Sequence, residues 1–376
     1  MRGLNRRSAT AVPRAHRSRS LRNVMRLVVV AAIGLLTMQF VGVSGSQASN
    51  GVPPAIPPPG SAYLGAWVQP MAQGTNNSYG SRVELGNLDT FNGNLGRPLG
   101  LVHVYVPWGQ PIPLSVLSAI ASTGAVPVVD VSCAPGTVSQ PGDAMIAQGM
   151  LNSTIDGYAS QLSSYAKPVF FRWFKEMNLI HNVGNSLCLG TTNVAQAGLG
   201  FVQAWDEMYL RFQSQSFSTS NVSFVWNPSA GAAGPISTFS AFWPSVANGA
   251  PSDGYGVSWM GFDDYYRAPS PDSNPTQSIA ALITQVQGAY ATELALPGAS
   301  ALPLMWGETG AYADQSQYLQ TLVTTLPTMW PDIKALLYFD ASSDKDWTLY
   351  NVSGDLGVDA FAALANSPYF EYPFNG

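Results

Sequence analysis

Phe171-Arg172-Trp173-Phe174-Lys175-Glu176-Met177-Asn178 and Met305-Trp306-Gly307-Glu308-Thr309-Gly310 decide the reading of this chain. Each places a glutamate just past a short apolar and aromatic run that reads as a buried strand. Beyond residue 48 the chain has only six glutamates, so two in matching contexts stand out. Outward from these stretches, similar runs recur with helical or loop-like segments between them. Strands are expected at 63–68, 101–106, 126–131, 169–173, 222–226, 256–260, 304–307 and 335–339. Most are continuously apolar rather than alternating, as strands covered on both faces should be. Helices are expected within 114–122, 145–164, 194–214, 276–294 and 314–326. Strand and helix alternating in this way imply an α/β fold, a single (β/α)8 TIM barrel. The alternative is an open doubly wound sheet, but no glycine-rich phosphate loop follows any of the strands.

The rest of the chain divides into a leader and a spacer. Residues 1–48 hold eight arginines and no acidic residue around an apolar run at 27–43, and Ser46-Gln47-Ala48 offers a small-x-small cleavage pattern. A secretion signal is expected there, and hence an extracellular protein. The run is about 17 residues, near the lower limit for a span, so an uncleaved envelope anchor is the alternative. A start at Met25 would give a more ordinary signal, and Arg6-Arg7 lies too far from the run for a good twin-arginine motif. Residues 49–62, with Pro53-Pro54 and Pro57-Pro58-Pro59, read as a stiff Pro-rich linker before a barrel domain at 63–376.

Charge narrows the partners. Without the eight leader arginines, nine of the 17 basic residues remain against 22 acidic ones, a net charge of −13. Such a surface repels nucleic acid and polyanions alike, and a neutral glycan fits it better. A domain of this length buries a large core without help from metals, and a monomer is expected. Cys133 and Cys188 in an exported chain are expected to form a disulfide, which would close a loop of more than fifty residues. The chain-entropy model assigns such a loop about 4 kcal/mol.

Barrel enzymes place their chemistry where strands end at the C-terminal face. Glu176 would end the fourth strand and Glu308 the seventh, so both project over one mouth. Paired carboxylates on strand ends are the machinery of glycoside hydrolysis. The bland alternative is that each glutamate caps a helix or pairs with an arginine.

These residues resemble glycoside hydrolase family 26. That family carries Arg-x-x-His-Glu-Met-Asn at strand four, and Arg172 through Asn178 match it except at Lys175. Its Trp-Asn-Pro after strand five stands here as Trp226-Asn227-Pro228, and its Gly-x-Asp-x-Tyr after strand six as Gly261-Phe262-Asp263-Asp264-Tyr265. The nucleophile motif Glu-x-Gly matches Glu308-Thr309-Gly310, and Tyr338-Phe339-Asp340 with Asp346-Trp347 is similar to the last strand and its loop. The order and spacing of these loose motifs, over roughly residues 63–350, make the resemblance specific. It implies Glu176 as general acid/base, Glu308 as nucleophile, retention of configuration, and an endo-acting enzyme on β-mannan, with β-glucan or β-xylan next.

Around that pair, Arg172 is expected to keep one carboxylate ionised and Tyr265 to donate to Glu308. Asp263 is expected to orient a neighbour or bind a sugar hydroxyl. Lys175, Asn178 and Asn227 are candidate donors to hydroxyls, and Trp306 and Trp347 candidate platforms for sugar rings, with core packing as the alternative for both tryptophans. Of Trp67, Trp108, Trp226, Trp259 and Trp306, two are expected to face the cleft. The sequence departs from the family at Lys175, in lacking a Trp-His pair within Val129 to Pro135, and at Leu179-Ile180-His181-Asn182, where aromatics are usual. These departures motivate a second hypothesis: a glycan-binding or cell-wall protein on a barrel without turnover. No cofactor and no metal are expected. The post-leader chain has only His103 and His181, lacks His-Glu-x-x-His and Gly-x-Ser-x-Gly, and gives Asp263-Asp264 and Asp344/Asp346 no calcium-loop spacing. His103, inside the second strand, reads as a satisfied core residue.

Overall fold

Eight parallel strands close on themselves in chain order: β1 (Tyr63–Val68), β2 (Leu101–Val106), β3 (Val126–Val131), β4 (Val169–Trp173), β5 (Val222–Trp226), β6 (Trp259–Asp263), β7 (Leu304–Thr309) and β8 (Ile333–Asp340). The computed structural model describes residues 51–68, 85–214, 216–231, 234–244, 254–267, 277–343, 345–349 and 357–370. All belong to one compact unit, Gly45–Gly376. The expected leader, Asp344 and Thr276 lie outside them. No helix among the described residues is long and apolar enough to cross a membrane.

The helices outside the barrel are α1 (Leu85–Leu95), α2 (Leu114–Ser122), α3 (Gly142–Ala147), α4 (Asn152–Tyr165), α5 (Val183–Leu189), α6 (Val194–Phe212), α7 (Ile279–Leu294), α8 (Gln315–Met329) and α9 (Gly357–Ala365). The fold is a (β/α)8 barrel. The expected helix at 145–164 is two helices, because Gly149, at φ 73°, ends the first. The sixth strand starts later than expected: residues 254–256 turn on two left-handed glycines before the chain can extend.

Strand alternation sorts the apolar residues into two layers. Tyr63, Leu101, Val126, Val128, Phe170, Val225, Trp259, Met305, Ala335 and Leu337, drawn from all eight strands, form one buried cluster. The intervening positions, such as Val104, Phe171, Trp226 and Trp306, join the helices in the larger outer core. Residues 51–62, within the expected Pro-rich linker, run along the barrel. Ala55 packs against the inner cluster, Pro54 and Pro57 are buried, and Lys334 Nζ donates to the Pro58 carbonyl at 3.4 Å.

Above the inner cluster the same inward positions turn polar: Leu101 is followed by His103 and Tyr105, Val128 by Asp130, Phe170 by Arg172, and Trp259 by Gly261 and Asp263. Room for these groups comes from glycine. A Cβ on Gly307 would lie 2.1 Å from Asn227 Oδ1, 2.5 Å from Arg172 Nη1 and 2.8 Å from Asp263 Oδ1. A register shift in β7 then sets Glu308 itself. Phe262 pairs with Trp306 but Asp263 pairs with Glu308, and Trp306 and Thr309 pair with Leu336 and Tyr338, so β7 carries an extra residue. Trp306 lies in the outer core, and simple alternation would send Glu308 outward too; the bulge turns it inward.

Candidate active site

A cavity of about 1140 Å³ opens at the C-terminal ends of the strands, lined by Tyr105, Asp130, Lys175, Glu176, Asp263, Tyr265, Glu308 and Trp347 among others. Glu308 is its most constrained member. Oε1 accepts from Tyr105 Oη at 2.6 Å and from Arg172 Nη2; Oε2 accepts from Tyr265 Oη at 2.7 Å and from Lys175 Nζ at 3.1 Å. Burial by itself would raise the Glu308 carboxyl. The Lys175 and Arg172 charges, with the Tyr105 hydrogen bond, outweigh it and hold the group well below the usual carboxylate range.

Beneath it, Arg172 is fully buried and ties the polar layer together. Nε and Nη2 donate to Asp130 Oδ2 at 3.0 and 2.6 Å, Nη1 to Asp263 Oδ1 at 3.2 Å, and Nη2 also faces His103 Nε2 at 2.9 Å. Burial and then the Arg172 charge lower the pKa of His103, which favours the neutral ring. With Nε2 accepting from Arg172, the ring proton sits on Nδ1, toward Glu308 Oε1 at 4.0 Å. His103, Asp130 and Glu308 offer ligand atoms within 4.8 Å of one another, a spacing that could hold a metal ion. Arg172 Nη2 hydrogen-bonds all three, so the guanidinium already occupies that position.

The carboxyls divide by environment. Burial raises Asp130, yet the Arg172 charge brings it below its ordinary value. Asp263 is pushed well above the usual range by burial and by Glu308, against Arg172, and its Oδ2 has no hydrogen-bond partner among the described residues. Arg172 and Lys175 thus balance Asp130 and Glu308, and Asp263 is the carboxyl whose charge these surroundings disfavour.

Glu176 faces this group from the loop after β4. Its side chain is 23% exposed, and Oε2 lies 3.4 Å from Lys175 Nζ, whose own side chain is 25% exposed. Burial works against the Lys175 ammonium, but Glu308 and Glu176 hold its pKa above the ordinary lysine value. Lys175 therefore points inward and bridges the two glutamates.

The fold brings Glu176, Glu308, Lys175, Asp263, Tyr265 and Trp347 to one mouth, and Arg172, expected among them, is buried beneath it and does not line the cavity. Trp347 lies on Tyr265, with ring centroids 4.9 Å apart, beside Trp67 and Phe339. Three further expected site residues are not there. Trp306 is fully buried in the outer core, where its ring meets Phe262 and Trp330 and Nε1 donates to the Asp264 carbonyl at 3.1 Å. Asn178 spends its amide on protein, accepting from Ser229 N–H at 2.8 Å and donating to the Ser229 carbonyl and Thr238 Oγ1. The Asn227 side chain is buried below the cavity, and its contribution is a backbone carbonyl that accepts from Glu176 N–H at 2.7 Å. None of the five tryptophans expected at the strand ends lines the cavity. Cys133 and Cys188 form the expected disulfide.

Tyr105, Asp130 and Asn185 belong to the site without having been expected there. The available signal was polarity: Tyr105 and Asp130 interrupt otherwise apolar strands, as His103 does. Asn185 gives no such signal.

No protein-family model and no curated protein matches the sequence. Solved structures do. An endo-β-1,4-mannanase double mutant from Cellulomonas fimi aligns with TM-score 0.57 at 12% identity, over 85% of this chain and 74% of that one. A GH26 β-mannanase from Bacteroides ovatus aligns with TM-score 0.54 at 13% identity, over 84% and 91%. A structure of fungal β-1,4-galactanases aligns with TM-score 0.50 at 10% identity, over 80% and 99%. The chain therefore shares the (β/α)8 barrel fold of these glycoside hydrolases, and the fold is GH26-like, in keeping with the sequence motifs.

Proposed function

We propose that this protein is a retaining glycosidase acting on a neutral β-linked polysaccharide, with Glu308 as nucleophile and Glu176 as general acid/base. The observation that carries this reading is Glu308 held ionised by its neighbours while facing Glu176 across Lys175. Lys175 Nζ lies 3.1 Å from Glu308 Oε2 and 3.4 Å from Glu176 Oε2. Laid end to end, those distances only reach the lower edge of the separation of about 6.5–9.5 Å used by inverting pairs. Hydrogen bonds leaving one ammonium near the tetrahedral angle would bring the oxygens to roughly 5 Å, the retaining range.

In the first step Glu308 attacks the anomeric carbon, the glycosidic C–O bond breaks, and the leaving oxygen takes its proton from Glu176. In the second, Glu176 accepts a proton from water, the water oxygen attacks the same carbon, and Glu308 is released. Tyr265 and Tyr105, one on each oxygen, fix the carboxylate in line with that carbon. Trp347 lies at the cavity wall but is fully buried, with the Arg267 guanidinium 5.3 Å from its ring centroid. β-Mannan is the first substrate by family resemblance, with β-glucan and β-xylan next. Extracellular action by a monomer, after removal of residues 1–48, belongs to the same reading.

One observation favours the second reading, a glycan-binding barrel without turnover. Four donors fill both oxygens of Glu308, so Lys175 must leave Oε2 before attack. The test is reducing-end release from mannan, mixed-linkage glucan, β-1,3-glucan and xylan by residues 49–376, beside Glu308→Ala and Glu176→Ala. We expect release from at least one polymer, reduced by about 10³-fold or more in each variant. Near-normal release by either variant would sink the assignment, and saturable binding without release would favour the second reading.

A further inference from the structure

Glu176 has a left-handed backbone, φ 53°, which a residue with a Cβ keeps only when its surroundings impose it. Three contacts do so. Its N–H donates to the Asn227 carbonyl at 2.7 Å, and its own carbonyl accepts from Leu179 N–H at 3.0 Å and from Asn185 Nδ2 at 2.9 Å. The last comes from α5, which follows Glu176 in the chain but is anchored elsewhere.

Helix α5 has seven residues, too few to persist on intrinsic propensity. Asn182 caps its start by accepting from Gly184 N–H at 2.8 Å. Its end turns on left-handed Gly190, where a Cβ would lie 2.2 Å from the Pro141 ring. Cys188, buried on α5, is bonded to Cys133, two residues past the end of β3. The helix is thus tied covalently to a neighbouring barrel strand, and Asn185 reaches from it to the one peptide that carries Glu176.

We propose that α5, anchored by the Cys133–Cys188 disulfide, is a positioning element for Glu176, and that Asn185 transmits its hold. The proposal rests on the reading of Glu176 as acid/base. Without the Asn185 amide, the Glu176 peptide can relax toward an ordinary φ, which swings the carboxyl away from the glycosidic oxygen. The loss then falls on proton donation and not on attack by Glu308.

Leaving-group dependence isolates that step. A dinitrophenolate leaves without a proton, whereas an unsubstituted phenolate leaves poorly without one. Dinitrophenyl and phenyl glycosides of the sugar released from the polymer above would be compared by kcat/KM. For Asn185→Ala we expect a fall of roughly 10²-fold with the phenyl glycoside and under about 3-fold with the dinitrophenyl one. Asn185→Asp, which keeps the shape but not the N–H donor, should behave like Asn185→Ala, and Cys133→Ser/Cys188→Ser should show the same asymmetry. Equal losses on both substrates would reduce Asn185 to a structural role and overturn the proposal.

Hydrogen exchange provides a reading independent of turnover. In Asn185→Ala, amides 174–182 should exchange faster while the barrel strands keep their protection. Unchanged exchange there would overturn the proposed hold. A parent that cuts no glycoside would sink the glycosidase reading, and the exchange comparison would still decide the coupling.

Discussion

Lys175 stands where two requirements of the site meet. Its ammonium stabilises the charge on Glu308, yet it occupies an oxygen that the proposed nucleophilic attack would need free. An opposite charge this close typically lowers a carboxyl by 1–3 pH units. A carboxyl held low contributes stability that is present above its unfolded value and is lost as pH falls through the folded value. Removing the ammonium therefore raises Glu308, and the acid limb of kcat/KM for Lys175→Met should move up by roughly one pH unit or more. An unmoved limb would mean that Arg172 and the two tyrosines suffice. Much of this residue-level picture is legible in the sequence: Glu176, Glu308, Arg172 and Tyr265 stand in recognisable motifs. The direction of Lys175 is not, because it follows from two left-handed residues, Phe174 and Glu176, on either side of it. Nothing in those side chains announces a positive φ.

At the level of elements, five strands follow directly from their apolar runs, since a strand buried on both faces has no other composition available to it. Helix α1 is not legible: its eleven residues include two glycines and three asparagines, a poor helix by propensity. It forms because Leu88, Phe91 and Leu95 share a face on the core. The extra residue in β7 has no local signature either, since it arises from fitting β7 between β6 and β8. Gly307, next to Glu308, tests that fit. Gly307→Ala puts a methyl group against Asn227 and the Arg172 guanidinium, both fully buried. We expect a loss of about 1–3 kcal/mol in urea unfolding, the usual cost of overpacking, with a disproportionate fall in activity as Arg172 shifts. A fully active, equally stable variant would show that the polar layer can slide.

On the scale of the whole molecule, the barrel interior is an apolar plug below and a charged layer above, with Arg172 as the joint. Taking one partner from a buried ionic group typically costs 3–5 kcal/mol, because the remaining charges lose their compensation. Arg172→Ala should accordingly lower the unfolding free energy by about that amount. The same substitution has a second consequence. It would vacate the point on which His103, Asp130 and Glu308 converge, leaving an imidazole and two carboxylates at a spacing that suits zinc. Zinc should then raise the thermal midpoint of Arg172→Ala and leave the parent unchanged. If it raises neither, the three ligands hold their positions only while the arginine is between them. If it does raise the variant, the floor of this barrel is one codon away from a metalloprotein, and the arginine is what keeps it from becoming one.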